Sequence, residues 1–128
     1  MTDTLVDAAR AVQRRAYAPY SRFRVGCALE AEDGRVFVGC NVENASYGLT
    51  ICAERAAVCA AVAAGAQRFR RAVVVSDADP PAAPCGACRQ VLSEFGGDLR
   101  VDGVGAAGMV SWTIAELLPA AFGPEQLK

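Results

Sequence analysis

The alternation of helix and strand patterns in the middle of the chain restricts its fold more than any other feature. Residues 52–64 are strong helix formers, and a second helix is predicted at residues 86–95. Between them, "AVVVS" at 72–76 is a β-branched run typical of a strand that is buried on both faces, and residues 99–104 form the next predicted strand. A strand, a helix and a second strand in this order require a crossover connection within one sheet.

The residues before this region predict an amphipathic helix and a β-hairpin. Residues 3–16 carry apolar side chains at helical spacing, with arginines on the other faces. Two runs of alternating polarity, 24–30 and 35–41, are separated by a segment that contains Asp33 and Gly34, a dipeptide that favours a tight turn. The hairpin adds antiparallel strands to the sheet.

The residues after this region predict a further strand at 108–112 and a last helix that Thr113 caps and that ends near Pro119. The element order is therefore α-β-β-α-β-α-β-β-α, with no internal repeat or linker. We expect an α/β fold, a three-layer α/β/α sandwich with a mixed five-stranded sheet, formed by a single domain over residues 1–128.

Charge and composition exclude several functional classes. Thirteen basic and fourteen acidic residues give a net charge of -1, so we expect no nucleic acid partner. The chain has no run of 18 apolar residues and no signal-peptide pattern, so we expect a soluble cytoplasmic protein with reduced cysteines and no membrane partner. The absence of histidine excludes Ser/His/Asp and Cys/His nucleophilic sites and any metal site that contains histidine.

Three cysteines at two predicted helix starts are candidates for a metal site. Cys85 and Cys88 form a C-x-x-C pair in "PCGACRQ", which alone does not distinguish a redox dithiol from half of a zinc site. Cys52 begins the other helix, and the N–H groups at a helix N-terminus favour thiolate over thiol. Three thiolates would leave one position of a tetrahedral Zn²⁺ open for water, as in catalytic sites.

Two charged residues follow Cys52 in "TICAERAAV". Glu54 is close enough in sequence to move protons at a metal-bound water, and Arg55 can hydrogen-bond the ligand sulfurs and offset their negative charge. These three residues predict a metal ligand, a proton shuttle and a residue that tunes the sulfurs.

The remaining cysteines, Cys27, Cys40 and Cys59, occupy apolar positions and are predicted to pack in the core. A structural site with four ligands stays possible at this point. Cys59 is a poor fourth ligand, because seven helical residues separate it from Cys52 by about 10 Å.

The combination of C-A-E with P-C-x-x-C resembles the zinc-dependent cytidine deaminases. The likeness extends over "YAPYSRFRVGCAL" at 17–29, "GCNVENASYGLTICAERAAV" at 39–58, "PCGACRQVLSEF" at 84–95 and "ELLPAAFGP" at 116–124. These segments are similar to the short, homotetrameric free-nucleoside members of that family, in which the first metal ligand is cysteine rather than histidine. The resemblance implies zinc ligands at Cys52, Cys85 and Cys88, a proton shuttle at Glu54 and an arginine that bonds the sulfurs at Arg55.

The resemblance also implies four substrate contacts. Asn41 and Glu43 of "NVEN" would hold the ribose hydroxyls, Phe23 would pack beside the base, and Phe122 would reach the base in a neighbouring subunit's pocket. An amide and a carboxylate two residues apart on a strand point to the same face, where together they can bond a sugar diol.

The implied reaction is the hydrolytic deamination of cytidine and 2′-deoxycytidine in pyrimidine salvage, in which zinc-bound hydroxide attacks C4 and Glu54 shuttles protons. The implied assembly is a homotetramer with shared active sites. One alternative is a deaminase of a cytosine-bearing antibiotic such as blasticidin S, against which "NVEN" and the "LLPAAFGP" tail argue. Another is a non-catalytic zinc-stabilised interaction module, which would need the same cysteines but not Glu54.

Overall fold

A computed structural model describes residues 3–127 of the chain. The strands are β1 Val25–Ala31, β2 Val36–Cys40, β3 Phe69–Ser76, β4 Arg100–Val104 and β5 Met109–Thr113. The α-helices are α1 Thr4–Gln13, α2 Ala53–Ala63, α3 Gly86–Ser93 and α4 Ile114–Leu117, and two short 3-10 helices cover Tyr47–Leu49 and Pro124–Leu127. The predicted order of strands and α-helices is confirmed.

The five strands form one mixed sheet in the order β2-β1-β3-β4-β5. β3 and β4 pair in parallel, with α3 as their crossover, and the other neighbours pair antiparallel. β2 and β3 both run antiparallel to β1, so α2 is also a crossover between strands of the same direction. The predicted mixed sheet with crossovers is confirmed.

Helices cover both faces of the sheet, as the three-layer prediction requires. On one face, α1 packs Leu5 and Ala9 against Ala28, Val73 and Val75. On the other face lies the larger core, in which α2, α3 and α4 cover the alternate strand residues, among them Leu29, Val74 and Val101. Successive residues of β1 and β3 thus point to opposite faces, and both faces are buried.

α2 lies unusually close to β2 because position 39 is glycine. A Cβ built on Gly39 would lie 2.4 Å from the backbone nitrogen of Ala57 and 2.6 Å from the carbonyl oxygen of Ala53. Real Cβ atoms do not approach backbone atoms so closely. The missing side chain therefore sets the distance between the sheet and the helix that begins at Cys52.

Two details differ from the sequence expectations. β3 begins at Phe69 rather than at residue 72, because its backbone pairs with β1 as far as Glu30 and Ala31. The prediction that Cys59 packs in the core is wrong for this chain: Cys59 is exposed, whereas Cys27 is buried and Cys40 is partly buried.

Within residues 3–127, no helix combines the length and the apolar character that crossing a membrane would require.

Candidate active site and metal centre

Three cysteine sulfurs meet at the amino ends of two helices. Cys52 is the N-cap of α2, Cys85 is the N-cap of α3, and Cys88 lies in the first turn of α3. The three Sγ atoms lie within 4.8 Å of one another, and those of Cys52 and Cys85 are 3.7 Å apart. Zn–S bonds of about 2.3 Å in a tetrahedral site would separate two sulfurs by about 3.8 Å. The donor set and its spacing therefore fit one zinc ion.

Across the described part of the chain, no fourth His, Cys, Asp or Glu joins this group. The sulfur cluster differs in this respect from a closed structural zinc site, which has four protein ligands. A site with three ligands leaves one coordination position for water or substrate, which is the arrangement of catalytic zinc sites.

Arg55 lies against the sulfur cluster. Its Nη2 donates hydrogen bonds to Cys52 Sγ and to the carbonyl oxygen of Thr50, each at a distance of 3.4 Å. Hydrogen bonds from the Cys88 thiol, and then from Arg55 and Cys85, lower the pKa of Cys52 to about 5. The pKa of Cys88 rises in turn, because its thiol bonds this thiolate and is buried. The lowered pKa favours the thiolate of Cys52, the form that a metal ligand requires.

Glu54 places a buried carboxyl group beside the sulfurs. It lies in the first turn of α2, two residues after Cys52, and only 5% of it is exposed. Burial raises the pKa of Glu54, and the neighbouring Cys52 thiolate raises it further. A raised pKa favours the protonated form of Glu54, so this carboxyl group is suited to accept a proton and return it.

A cavity of about 210 Å³ adjoins the sulfur cluster. Five residues that the sequence singled out line it: Phe23, Asn41, Cys52, Glu54 and Cys85. Small or apolar residues from β1, β3 and the loop before α3 supply most of the remaining wall. The fold thus brings an aromatic ring, an amide, a carboxyl group and two of the three sulfurs to one concave surface.

Asn41 is positioned by the loop that carries Phe23. Its Oδ1 accepts a hydrogen bond from the backbone N–H of Val25 at 2.9 Å, and its Nδ2 donates to the carbonyl oxygen of Phe23 at 2.8 Å. Asn41 is buried and lies immediately after β2, so these two bonds fix the start of β1 against the end of β2. The amide retains one N–H and one lone pair for a ligand.

Glu43 does not line the same cavity as Asn41. It lines an adjoining pocket with Tyr20, Ser21, Tyr47 and Thr50, and Thr50 borders both spaces. The sequence expectation that Asn41 and Glu43 point to one face of a strand is therefore wrong, because β2 ends at Cys40 and Glu43 lines the neighbouring pocket.

Phe122 lies outside both pockets of its own chain. It follows α4, is 58% exposed, and accepts a hydrogen bond at its carbonyl oxygen from Gln90 Nε2 at 2.9 Å. Gln90 belongs to α3, the helix that carries Cys88. The segment with Phe122 is thus attached to the metal-site helix, while Phe122 itself stays largely exposed.

Sequence reasoning missed several residues that border the pockets, among them Thr50 and Ser21. Thr50 separates the two spaces, and Ser21 contacts Glu43 directly. Both lie in segments that the resemblance covered, but neither has a motif spacing that indicates a role. Their positions depend on contacts between residues that are distant in sequence.

Comparison with known proteins identifies a family with this arrangement. The family model described as the cytidine and deoxycytidylate deaminase zinc-binding region matches residues 1–101. A cytidine deaminase of Sporosarcina psychrophila is 45% identical over 98% of this chain and 93% of its own, and one of Mycobacterium tuberculosis is 49% identical over 88% and 82%. A crystal structure of cytidine deaminase from Burkholderia pseudomallei superposes with a TM-score of 0.90, at 50% identity over 95% of this chain and 100% of that one.

Proposed function

The chain belongs to the cytidine and deoxycytidylate deaminase family, and we propose that it hydrolyses cytidine and 2′-deoxycytidine to uridine and 2′-deoxyuridine with release of ammonia. The observation that carries the proposal is the buried carboxyl group of Glu54 in one cavity with the sulfurs of Cys52 and Cys85. A non-catalytic zinc module would need the sulfurs but would gain nothing from burying a carboxyl group beside them.

Cys52, Cys85 and Cys88 would hold a zinc ion. Zinc bound there would supply Lewis acidity that makes water a nucleophile near neutral pH. Arg55 donates a charged hydrogen bond to the Cys52 sulfur, which offsets part of the negative charge of three thiolates. Arg55 therefore helps zinc held by three thiolates to keep the Lewis acidity that the reaction requires.

Glu54 moves the protons. Its carboxylate takes a proton from the attacking water and delivers it to N3 of the cytosine ring, which makes C4 electrophilic. After the addition, the Glu54 carboxylate takes the remaining proton from the new hydroxyl on C4 and passes it to the amine, so that the C4–N bond breaks, the C4 carbonyl of uridine forms and ammonia leaves. The burial of Glu54 excludes bulk water from both transfers.

Substrate binding is assigned to residues on both sides of the cavity. Phe23, on the cavity wall, offers an apolar ring to the base. Asn41 and Glu43 each keep unused hydrogen-bonding capacity after their contacts with the chain, which suits a ribose diol at the border of the two pockets.

We further propose a homotetramer in which Phe122 completes a neighbour's site. The exposed ring at the end of a segment that α3 anchors supports this assignment, because burial against another subunit would remove its apolar surface from water. A cytoplasmic location and a role in pyrimidine salvage complete the proposal, since the metal site needs reduced thiols.

Incubation of the purified, zinc-loaded protein with cytidine, followed by the ultraviolet change to uridine, tests the reaction. We expect stoichiometric uridine and ammonia, with free cytosine a far poorer substrate because it lacks the ribose. Blasticidin S in a parallel reaction tests the antibiotic alternative. Unchanged cytidine would refute the proposed function. Faster turnover of blasticidin S than of cytidine would identify the antibiotic as the substrate.

A further inference from the structure

Ser21 connects Glu43 to the backbone of Phe23, two residues that line adjoining pockets. Its hydroxyl donates a hydrogen bond to Glu43 Oε2 and accepts one from the backbone N–H of Phe23 at 3.0 Å. The bond from Phe23 occupies one lone pair of the hydroxyl oxygen and so orients its proton toward Glu43. A side chain without this oxygen would break both contacts.

The carboxylate of Glu43 is held at three points by one short segment. Its Oε1 accepts the backbone N–H groups of Tyr20 and Ser21 at 2.9 and 3.1 Å, and its Oε2 accepts the Ser21 hydroxyl. A carboxylate with three donors has about one lone pair left, so its orientation toward a ligand is set by these donors.

The backbone next to Ser21 is strained, which indicates that its conformation is enforced. Arg22 has a φ of 61°, in the left-handed region that residues with a side chain rarely adopt. Such residues persist where the surroundings over-determine them. The contacts of Ser21 with Glu43 and Phe23 bracket Arg22 and hold the turn in this form.

We propose that Ser21 is a positioning residue for nucleoside recognition, which fixes the carboxylate of Glu43 in the orientation that binds the sugar. The inference rests on the proposed function and assigns Ser21 no contact with the reacting atoms. Since the hydroxyl acts through Glu43, its removal should weaken cytidine binding and leave the chemical step intact.

The test compares Ser21→Ala with the parent protein on cytidine. We expect the KM to rise by about tenfold, because one hydrogen bond to a charged group is lost. The kcat should stay within about twofold of the parent value. Ser21→Thr keeps the hydroxyl and should show the KM of the parent. Ser21→Val has nearly the shape of threonine but no hydroxyl, so its KM should stay raised. Ser93→Ala is the matched control, because Ser93 donates to a backbone carbonyl on α3 and lines neither pocket.

A double-mutant cycle with Glu43→Gln separates positioning from loss of loop structure. If Ser21 acts through Glu43, Ser21→Ala should cost less than about twofold in kcat/KM when Glu43→Gln is already present. An equal loss in both backgrounds, a parent-like KM for Ser21→Ala or an unrestored Ser21→Thr would overturn the inference while the proposed function stands. A parent protein that does not deaminate cytidine would overturn both.

Discussion

Asp102 is the most deeply buried charge in the described chain, and we predict that Asp102→Asn destabilises the fold without altering the active site. Its side chain is inaccessible to solvent, and its two oxygens accept hydrogen bonds from Arg71 Nε at 2.6 Å and Arg100 Nε at 2.9 Å. Arg71 also forms a two-pronged ion pair with Asp3, the N-cap of α1. The substitution therefore weakens a network that joins α1, β3 and β4.

The expected loss of unfolding free energy depends on how exposed Arg71 and Arg100 are once the Asp102 charge is removed. Removal of one partner from a buried ion pair costs about 3–5 kcal/mol. Arg100 is about half exposed and Arg71 keeps Asp3, so both arginines stay partly compensated. We therefore expect Asp102→Asn to lower the unfolding free energy by about 3 kcal/mol, the lower limit of this range.

The acid dependence of stability should change as well. Burial alone would raise the pKa of Asp102, but hydrogen bonds from Ser111, Arg100 and Arg71 outweigh it and lower that pKa. A lowered carboxyl pKa in the folded state stabilises the protein above about pH 4, and the stabilisation is lost as the pH falls through the folded-state pKa. Asp102→Asn should therefore reduce the acid-induced loss of stability below about pH 4, because one such carboxyl group is gone.

Urea unfolding at fixed protein concentration measures the effect, since assembly can contribute to stability. A loss of about 3 kcal/mol should lower the midpoint by at least about 1 M. Asp33→Asn is the control, because the Asp33–Arg35 pair is exposed, and its midpoint should stay near that of the parent. Asp102 pairs with Val73, whose side chain packs on the α1 face of the sheet, whereas Val74 and Ser76 line the cavity from the opposite face, so folded Asp102→Asn should keep the parent kcat/KM. A midpoint equal to that of Asp33→Asn would show that the Asp102 network does not stabilise the fold.

Three further predictions test the metal site, the placement of α2 and the shared site. Cys85→Ala should lower bound zinc from about one per chain to a small fraction by elemental analysis, and an undiminished zinc content would contradict the ligand assignment. Gly39→Ala should cost roughly 1–3 kcal/mol in urea unfolding and lower kcat, because the new Cβ displaces α2, whereas Gly108→Ala, with open space around it, should do neither. Phe122→Ala should be weakly active, yet refolding it together with Glu54→Gln chains should recover activity in mixed tetramers; mixtures as inactive as the separate variants would exclude a site completed by the neighbour.

The features predicted correctly from the sequence depend on local patterns. The hairpin follows from two alternating runs around Asp33 and Gly34, and the crossovers follow from the order of helices and strands. The sulfur cluster was predictable because Cys52 and Cys85 each precede a helix, and helices in crossovers begin at the same edge of the sheet.

The features that the sequence did not predict depend on contacts between distant residues. The bonds from Ser21 to Glu43 span 22 positions and have no periodic signal. Cys59 is exposed because of its position on α2. The core-facing side of this helix includes Ala53, Ala57 and Ala61, and Cys59, two residues after Ala57, lies about 200° around the helix from it. Average burial of a residue type does not identify the helix face on which it falls.

We propose that Glu54 moves the protons of cytidine hydrolysis beside a zinc ion held by three cysteines. The most direct test is the kcat of Glu54→Gln on cytidine, measured at the same zinc content and melting temperature as the parent protein. Glutamine keeps the size and hydrogen-bonding reach of glutamate but cannot carry the proton, so we expect kcat to fall by about 10³-fold or more. Turnover within about tenfold of the parent by a folded, zinc-loaded Glu54→Gln protein would contradict it.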